Sequence, residues 1–241
     1  MKIAIVTGGT KGIGKAIVLK YLEKGCYTII IYSNDDVTAQ ALKSELDVQY
    51  KNKYEIIKSD LSNIEKVKNT CNIIKNNHKK FDYLILNAGV TNRNGFDVLT
   101  IDEWNYIMNV NLTMPFFLVQ NLSDYIVRGG KVIFIGAVMG IYPHAVSIPY
   151  AVSKAGLHML SKQLVKHLSP HGITVNTVVP GFVDTLWQKD KPLEQRKRIE
   201  NKIALKRFAV PEEVAQLCWD ISQNDYVNGS LLKIDGGYCY E

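Results

Sequence analysis

The 241-residue sequence is poor in the features that would set most other protein classes. Its four cysteines, Cys26, Cys71, Cys218 and Cys239, are scattered and form no CxxC pair, which argues against a disulfide frame or a zinc site and for free thiols in a reducing compartment. No apolar run reaches the roughly 18 residues of a membrane helix. The chain opens almost directly on an apolar strand, with no charged segment and long apolar core of a signal peptide, so a cytoplasmic location is expected. Basic blocks interleaved with aromatic residues are missing, and the net charge of +6 therefore reads as a solvated surface, not a nucleic-acid interface. A small acidic or phosphorylated ligand suits that bias. With 46% hydrophobic and 22% charged residues, disorder is not expected. Internal repeats and interdomain linkers are also missing, so residues 1–241 are expected to form one domain.

Short apolar runs alternate with helical spacing. Strands are expected at Ile3–Val6, Thr28–Tyr32, Tyr54–Lys58, Tyr83–Leu86, Val132–Ile135, Ile173–Val178 and Leu231–Ile234, separated by helical segments. This alternation predicts an α/β fold of the Rossmann type: a doubly wound, seven-stranded, mostly parallel sheet with helices on both faces. The first strand runs into TGGTKGIG, Thr7 to Gly14, and then a helix. Gly8, Gly12 and Gly14 allow a tight turn and a close ligand approach, and the free amides at the helix start favour a phosphate, so nucleotide binding is expected.

The end of the second strand reads Tyr32-Ser33, without the carboxylate that would hold an adenosine ribose; Asp35 and Asp36 come only later. Lys11 supplies a positive charge that could meet a 2′-phosphate, which favours NADP over NAD, although Lys11 also reads as an ordinary exposed loop residue. Asp60, at the end of the third strand, suits an adenine amino group or a helix cap. Small residues at Asn87-Ala88-Gly89 permit close cofactor approach. Thr100 and Glu103 form a capping pattern for a helix that continues past Asn111, an asparagine set among apolar residues and readable as structural or functional.

The stretch from Lys131 to Lys154 should carry the chemistry. It leads from a strand through a loop into a helix bearing Tyr150 and Lys154, which lie four residues apart on one helix face, where an ammonium can lower the phenol pKa. Residues 186–207, charged and with few apolar repeats, read either as a mobile flap over the site or as a solvated helix.

Taken together, TGGTKGIG at Thr7, Asp60-Leu61, NAGV at Asn87, Asn111, YAVSK at Tyr150, PGFVDT at Pro180 and IDGGY at Ile234 resemble the short-chain dehydrogenase/reductase family over nearly the whole chain. Within it, HGITVNTVVPGFVDT and KRFAVPEEVAQL are most similar to bacterial 3-oxoacyl-(acyl-carrier-protein) reductases. The resemblance implies NADPH-dependent reduction of a ketone, a 3-oxoacyl thioester on acyl carrier protein, by a cytoplasmic homotetramer. It places Tyr150 as general acid, Lys154 on the nicotinamide ribose and Asn111 on a water that links Lys154 to solvent. Cofactor contacts carry over onto Gly8, Thr10, Lys11, Gly12, Ile13 and Gly14 in the first loop. They also fall on Tyr32, Ser33, Asp60 and Leu61 at the adenosine end, on Asn87, Ala88 and Gly89, and on Pro180, Gly181, Val183 and Thr185. No metal is implied. Arg128 matches one basic carrier-binding position, and the second falls on His171.

One departure stands out. The family serine thirteen residues before the tyrosine, which orients the carbonyl, is here Ala137, preceded by Gly136. Losing such a donor typically costs about 10²- to 10³-fold in rate. An engineered serine-to-alanine variant, a natural enzyme with a substitute donor, and a cofactor-binding partner subunit or scaffold with impaired catalysis all fit. Ser147 is the nearest substitute, with Tyr142 and His144 behind it.

Overall fold

The computed structural model describes residues 1–143, 147–189 and 191–238. His144 and Cys239 fall outside these. Seven strands form one sheet: β1 Ile3–Thr7, β2 Tyr27–Tyr32, β3 Tyr54–Lys58, β4 Phe81–Leu86, β5 Ile126–Ile135, β6 Thr174–Pro180 and β7 Leu231–Ile234. Their order is β3-β2-β1-β4-β5-β6-β7, with every neighbouring pair parallel. Parallel neighbours require crossovers, and the helices that make them bury both faces of the sheet. That explains the continuous apolar runs such as Ile29-Ile30-Ile31, fully buried though the side chains alternate between faces.

On one face, Ala4, Val6 and Ile30 pack under α1 (Gly12–Glu23), α2 (Asp36–Gln49) and α9 (Pro211–Ser222). Tyr21, Tyr83 and Trp219 meet there edge to face. On the other face, Ile5, Ile29, Leu84 and Phe134 pack under α3 (Ile64–Asn77), α5 (Met114–Leu122) and α6 (Ile148–Leu168).

Three elements differ from the sequence expectation. β5 begins at Ile126, six residues before Val132, and includes the exposed Arg128-Gly129 pair followed by a buried Gly130, where the register with β4 shifts; the exposed pair lacks apolar character because it faces solvent. The sheet is wholly parallel among its paired strands, not merely mostly so. The helix starting at Ile101, capped by the Thr100–Glu103 box, does not run through evenly: α4 (Ile101–Met108) gives way to a π-helical turn, Asn109–Thr113, before α5. Such one-turn π segments are wider than an α-helix and occur often at functional sites.

Among the described residues no helix is long and apolar enough to cross a membrane. Cys26, Cys71 and Cys218 are buried free thiols, and no cluster of metal-ligating side chains occurs among the described residues.

Candidate active site

At the carboxyl ends of β1, β4, β5 and β6 the chain opens a cleft of about 910 Å³. This is where an open α/β sheet places its ligands. The loop after β1 forms one wall. Gly12 has φ +54, a backbone conformation that a side chain would strain, and a Cβ on Gly14 would lie 2.1 Å from the Gly8 carbonyl oxygen. Thr7 and Asn87 hold this loop against the end of β4. The Thr7 hydroxyl accepts from the N–H groups of Asn87 and Ala88, both at 3.0 Å, and the Asn87 amide donates to the carbonyls of Thr7 at 3.0 Å and Gly8 at 3.1 Å. Asn87 therefore fixes the loop as well as lining the cleft.

Helix α1 begins at this wall without a capping side chain and without an acidic residue in its first turn. Its first amides are thus left for an anion, and this glycine cradle fits a dinucleotide phosphate. Lys11 lines the cleft, but its Nζ is held 2.9 Å from Asp35 Oδ2. The Lys11 and Thr38 contacts bring the Asp35 carboxyl down to about 2. Asp36 is likewise covered, accepting from Lys58 Nζ at 2.6 Å and from the Tyr32 hydroxyl at 2.9 Å.

Several expected cofactor positions lie off the cleft wall. Thr10, Tyr32, Ser33, Asp60 and Leu61 sit on the same edge of the sheet but do not line the cavity. Asp60 turns inward on its own loop, accepting from the Ser62 N–H at 3.0 Å and hydroxyl at 2.7 Å, while Asn63 caps α3. Its role as a helix cap is excluded. Ile13, Ala88, Gly89, Pro180, Gly181, Val183 and Thr185 do line the cleft.

Tyr150 and Lys154 project together from the first turns of α6, with Nζ 5.7 Å from the phenol ring centre. Lys154 is buried, donates to the Ile135 carbonyl at 2.7 Å, and is brought by burial down to about 8. Burial also raises the Tyr150 phenol above its ordinary value. The expected lowering by the ammonium does not emerge in this arrangement, where desolvation of the phenolate is the sole cause of the shift. Trp187 stands edge-on to Tyr150, ring centres 6.1 Å apart.

Asn111 is fully buried in the π turn, with both amide hydrogens and its carbonyl oxygen engaged. It accepts from Val90 N at 2.8 Å and donates to Val90 O at 2.9 Å and Ser153 Oγ at 3.0 Å. Gly89 separates it from the lysine: a Cβ there would lie 3.4 Å from Asn111 Oδ1 and 3.5 Å from Lys154 Nζ.

Ala137 faces the cleft at the end of β5, so the wall is apolar where a serine hydroxyl was sought. Its N–H points to His158 Nε2 at 3.4 Å, inside the protein. His158 is buried; burial, with Lys154 and Lys162 as lesser causes, brings it down to about 4. Gly136 and Gly140 make room for the imidazole, since Cβ atoms there would approach it to 2.3 and 2.8 Å. Ser147 lines the cleft in front of Tyr150 with a left-handed backbone, φ +67. Its hydroxyl pairs with that of Thr91 at 2.7 Å.

Two helices of the 186–207 segment, α7 (Leu186–Lys189) and α8 (Leu193–Lys202), contribute Trp187, Gln188, Gln195 and Arg198 to the cleft. Arg93, in the loop after β4, joins them. The sequence marked 186–207 as a possible flap but singled out none of these residues, nor His158. His158 stands four residues beyond Lys154 on the same helix face, a spacing that could have revealed it. Arg128 and His171 lie elsewhere. Arg128 precedes Ile135 by seven residues along β5, roughly 20 Å at a strand's rise, and packs over Gly172 at the opposite end of the sheet. Within one subunit neither lies at the mouth of the cleft.

The pattern of the short chain dehydrogenase family matches residues 2–196. A 3-oxoacyl-(acyl-carrier-protein) reductase FabG of Aquifex aeolicus is 32% identical, covering 98% of this chain and 96% of its own. A dehydrogenase/reductase of Sinorhizobium meliloti superposes with a TM-score of 0.92 at 30% identity, covering 99% of this chain and 95% of its own. A short chain dehydrogenase of Burkholderia cenocepacia, solved in complex with NADP, gives 0.91 at 28% identity over 98% and 97% of the two chains. A parallel sheet with a glycine cradle after β1, and a tyrosine and lysine one helical turn apart beside it, thus coincide with a family match over most of the chain, and the protein belongs to the short-chain dehydrogenase/reductase family of oxidoreductases.

Proposed function

We propose that the protein reduces a ketone to an alcohol with NADPH, and that a 3-oxoacyl thioester is its substrate. The observation that carries this reading is the convergence of Tyr150, Lys154 and the α1 cradle on one cleft. NADPH is favoured by Lys11 at the cleft wall and by the covering of Asp35 and Asp36 by lysines. The NADP-bound Burkholderia cenocepacia relative supports it, and the named activity of the Aquifex aeolicus relative supports the thioester.

When bound, the cofactor supplies a hydride to the carbonyl carbon. Tyr150 gives its proton to the carbonyl oxygen, and its raised pKa keeps that proton in place at neutral pH. Lys154 holds the nicotinamide ribose and returns a proton to the phenolate, supplied through a water beside Asn111 that the backbone of the π turn, not the occupied side chain, would hold. The Ser147–Thr91 hydroxyl pair takes the place of the serine absent at Ala137. Its geometry is that of a donor held ready: a strained backbone, a second hydroxyl to fix its rotor, and a position at the cleft wall. The 186–207 segment acts as the substrate flap.

Stopped-flow loss of NADPH absorbance with acetoacetyl thioesters tests the reading. Turnover that disappears in Tyr150→Phe is expected. No turnover above the uncatalysed rate with any of several ketones, while NADPH binds, would overturn it in favour of a cofactor-binding partner subunit.

A further inference from the structure

We propose that Arg93, Lys191, Arg198 and Lys202 form a phosphoryl-binding subsite at the mouth of the cleft, which seats the phosphorylated end of the ketone substrate. The inference rests on the ketone-reductase reading. Arg198 and Lys202 are four residues apart on α8 and so share one face; Arg93 comes from the loop after β4, and Lys191 from the link between α7 and α8. All four line the cleft, and no carboxylate does so among the described residues.

None of the four is neutralised by a described carboxylate, in contrast to several cations elsewhere on the chain. Lys11, Lys15, Lys58, Arg196 and Arg207 each meet a carboxylate within 3.1 Å. Arg196, on the same helix as Arg198, is held by Asp184 and stacks on Phe208 at 4.6 Å. Among the described residues Arg93 donates only to the Trp187 carbonyl, at 2.9 Å, and none of the four subsite residues makes an ion pair there. Burial, with repulsion from Arg93 and Arg196 as lesser causes, lowers the Lys191 pKa, so like charges meet on this side of the cleft. A phosphoryl group relieves that repulsion and matches the forked donors of two arginines. A lone carboxylate would leave most of the charge unmatched.

The position separates this subsite from the cofactor cradle. Arg93 donates to the carbonyl of Trp187, which faces Tyr150, whereas the glycine loop and Lys11 form the wall at α1. In the same cleft the Gln188 side-chain oxygen is buried without a partner among the described residues and can accept from a hydroxyl or amide of the ligand's body. A small hydroxylated ketone phosphate and the phosphopantetheine arm of a thioester both combine a phosphoryl group with such donors.

The test begins with protein saturated with NADP⁺, into which inorganic diphosphate is titrated while tryptophan fluorescence is followed, Trp187 being the reporter. Saturable binding is expected, weakened at least about tenfold in the Arg198→Gln/Lys202→Gln variant and unchanged in Lys197→Gln, whose exposed side chain does not line the cleft. Binding unaffected by the double variant overturns the subsite, as does a matching loss of NADP⁺ affinity, which would assign these cations to the cofactor. Two substrate pairs then identify the source: acetoacetyl-phosphopantetheine against acetoacetyl-pantetheine, and dihydroxyacetone phosphate against dihydroxyacetone. In one pair kcat/KM should favour the phosphorylated member at least about tenfold, a preference lost in the double variant. Equal turnover of both members of each pair would overturn the subsite and leave the reductase reading intact. Subsite-dependent diphosphate binding without turnover of any ketone would do the reverse.

Discussion

The backbone N–H of Ala137 is directed 3.4 Å away to the buried imidazole of His158, behind the strand that carries the cleft wall. Two consequences follow for the wall. Its amide is committed to the interior and is not a donor for a substrate carbonyl, and the turn out of β5 is fixed by a neutral histidine from α6.

The carbonyl donor is therefore sought at Ser147. Ser147→Ala is expected to lower kcat by about 10²- to 10³-fold, whereas Ala137→Ser in the native background raises it by less than about tenfold. Adding Ala137→Ser to Ser147→Ala should recover most of the loss. Steady-state kinetics with one 3-oxoacyl thioester checks all three. A rise of two orders of magnitude from Ala137→Ser alone would show that no group fills the role in the native chain.

His158 makes the fold acid-sensitive. Its folded pKa of about 4 lies below the ordinary 6.5, so the unfolded chain takes up the proton first as pH falls. The stability conferred by the neutral imidazole is full above about 6.5 and is lost as pH drops towards about 4, by up to roughly 3 kcal/mol. Thermal melts across this window should show the slope, and His158→Leu should remove it. Gly140→Ala should destabilise at any pH by about 1–3 kcal/mol, because the added Cβ would meet the backbone of Ala155 at 2.7 Å.

Lys154 sets a basic limit on cofactor binding. Burial holds it near 8, so it loses its charge, and one ribose-binding donor, as pH rises through that value. NADPH affinity, measured by fluorescence titration between pH 6 and 10, should fall above about pH 8. The raised Tyr150 stays protonated over the lower part of this range, so the decline reports the lysine.

Lys11 and Asp35 divide the cofactor preference. Lys11→Ala is expected to weaken NADPH by about tenfold to a hundredfold, with NADH changed little, since a charge-assisted contact to the 2′-phosphate is lost. Asp35→Asn frees Lys11 from its 2.9 Å ion pair and should tighten NADPH about two- to fivefold. Comparative dissociation constants for the two cofactors would check both.

The strand and helix order was legible in the chain because buried parallel strands must be apolar throughout, as Ile29-Ile30-Ile31 is. The glycine loop and the Tyr150–Lys154 pair were legible because both depend on local spacing. What spacing does not encode was missed. The amino end of β5 at Arg128 is polar because it is solvent-facing, so its strand character left no hydrophobic trace. The upward shift of the Tyr150 phenol depends on desolvation by neighbours remote in sequence. The cations of α8 and the loop after β4 become one patch only when tertiary structure brings residues about a hundred positions apart to one cleft.

The π turn at Asn109–Thr113 sets the rotational phase between α4 and α5. Each residue of an α-helix advances the side chains by about 100°. Removing a single residue from this turn would let the two helices fuse smoothly, yet it would rotate one with respect to the other by about that angle. Either Asn111 would leave Val90 and Ser153, or Leu118 and Leu122 would leave the core. At this point chain length, more than side-chain identity, keeps the Asn111 contacts and the packing of α5 in register.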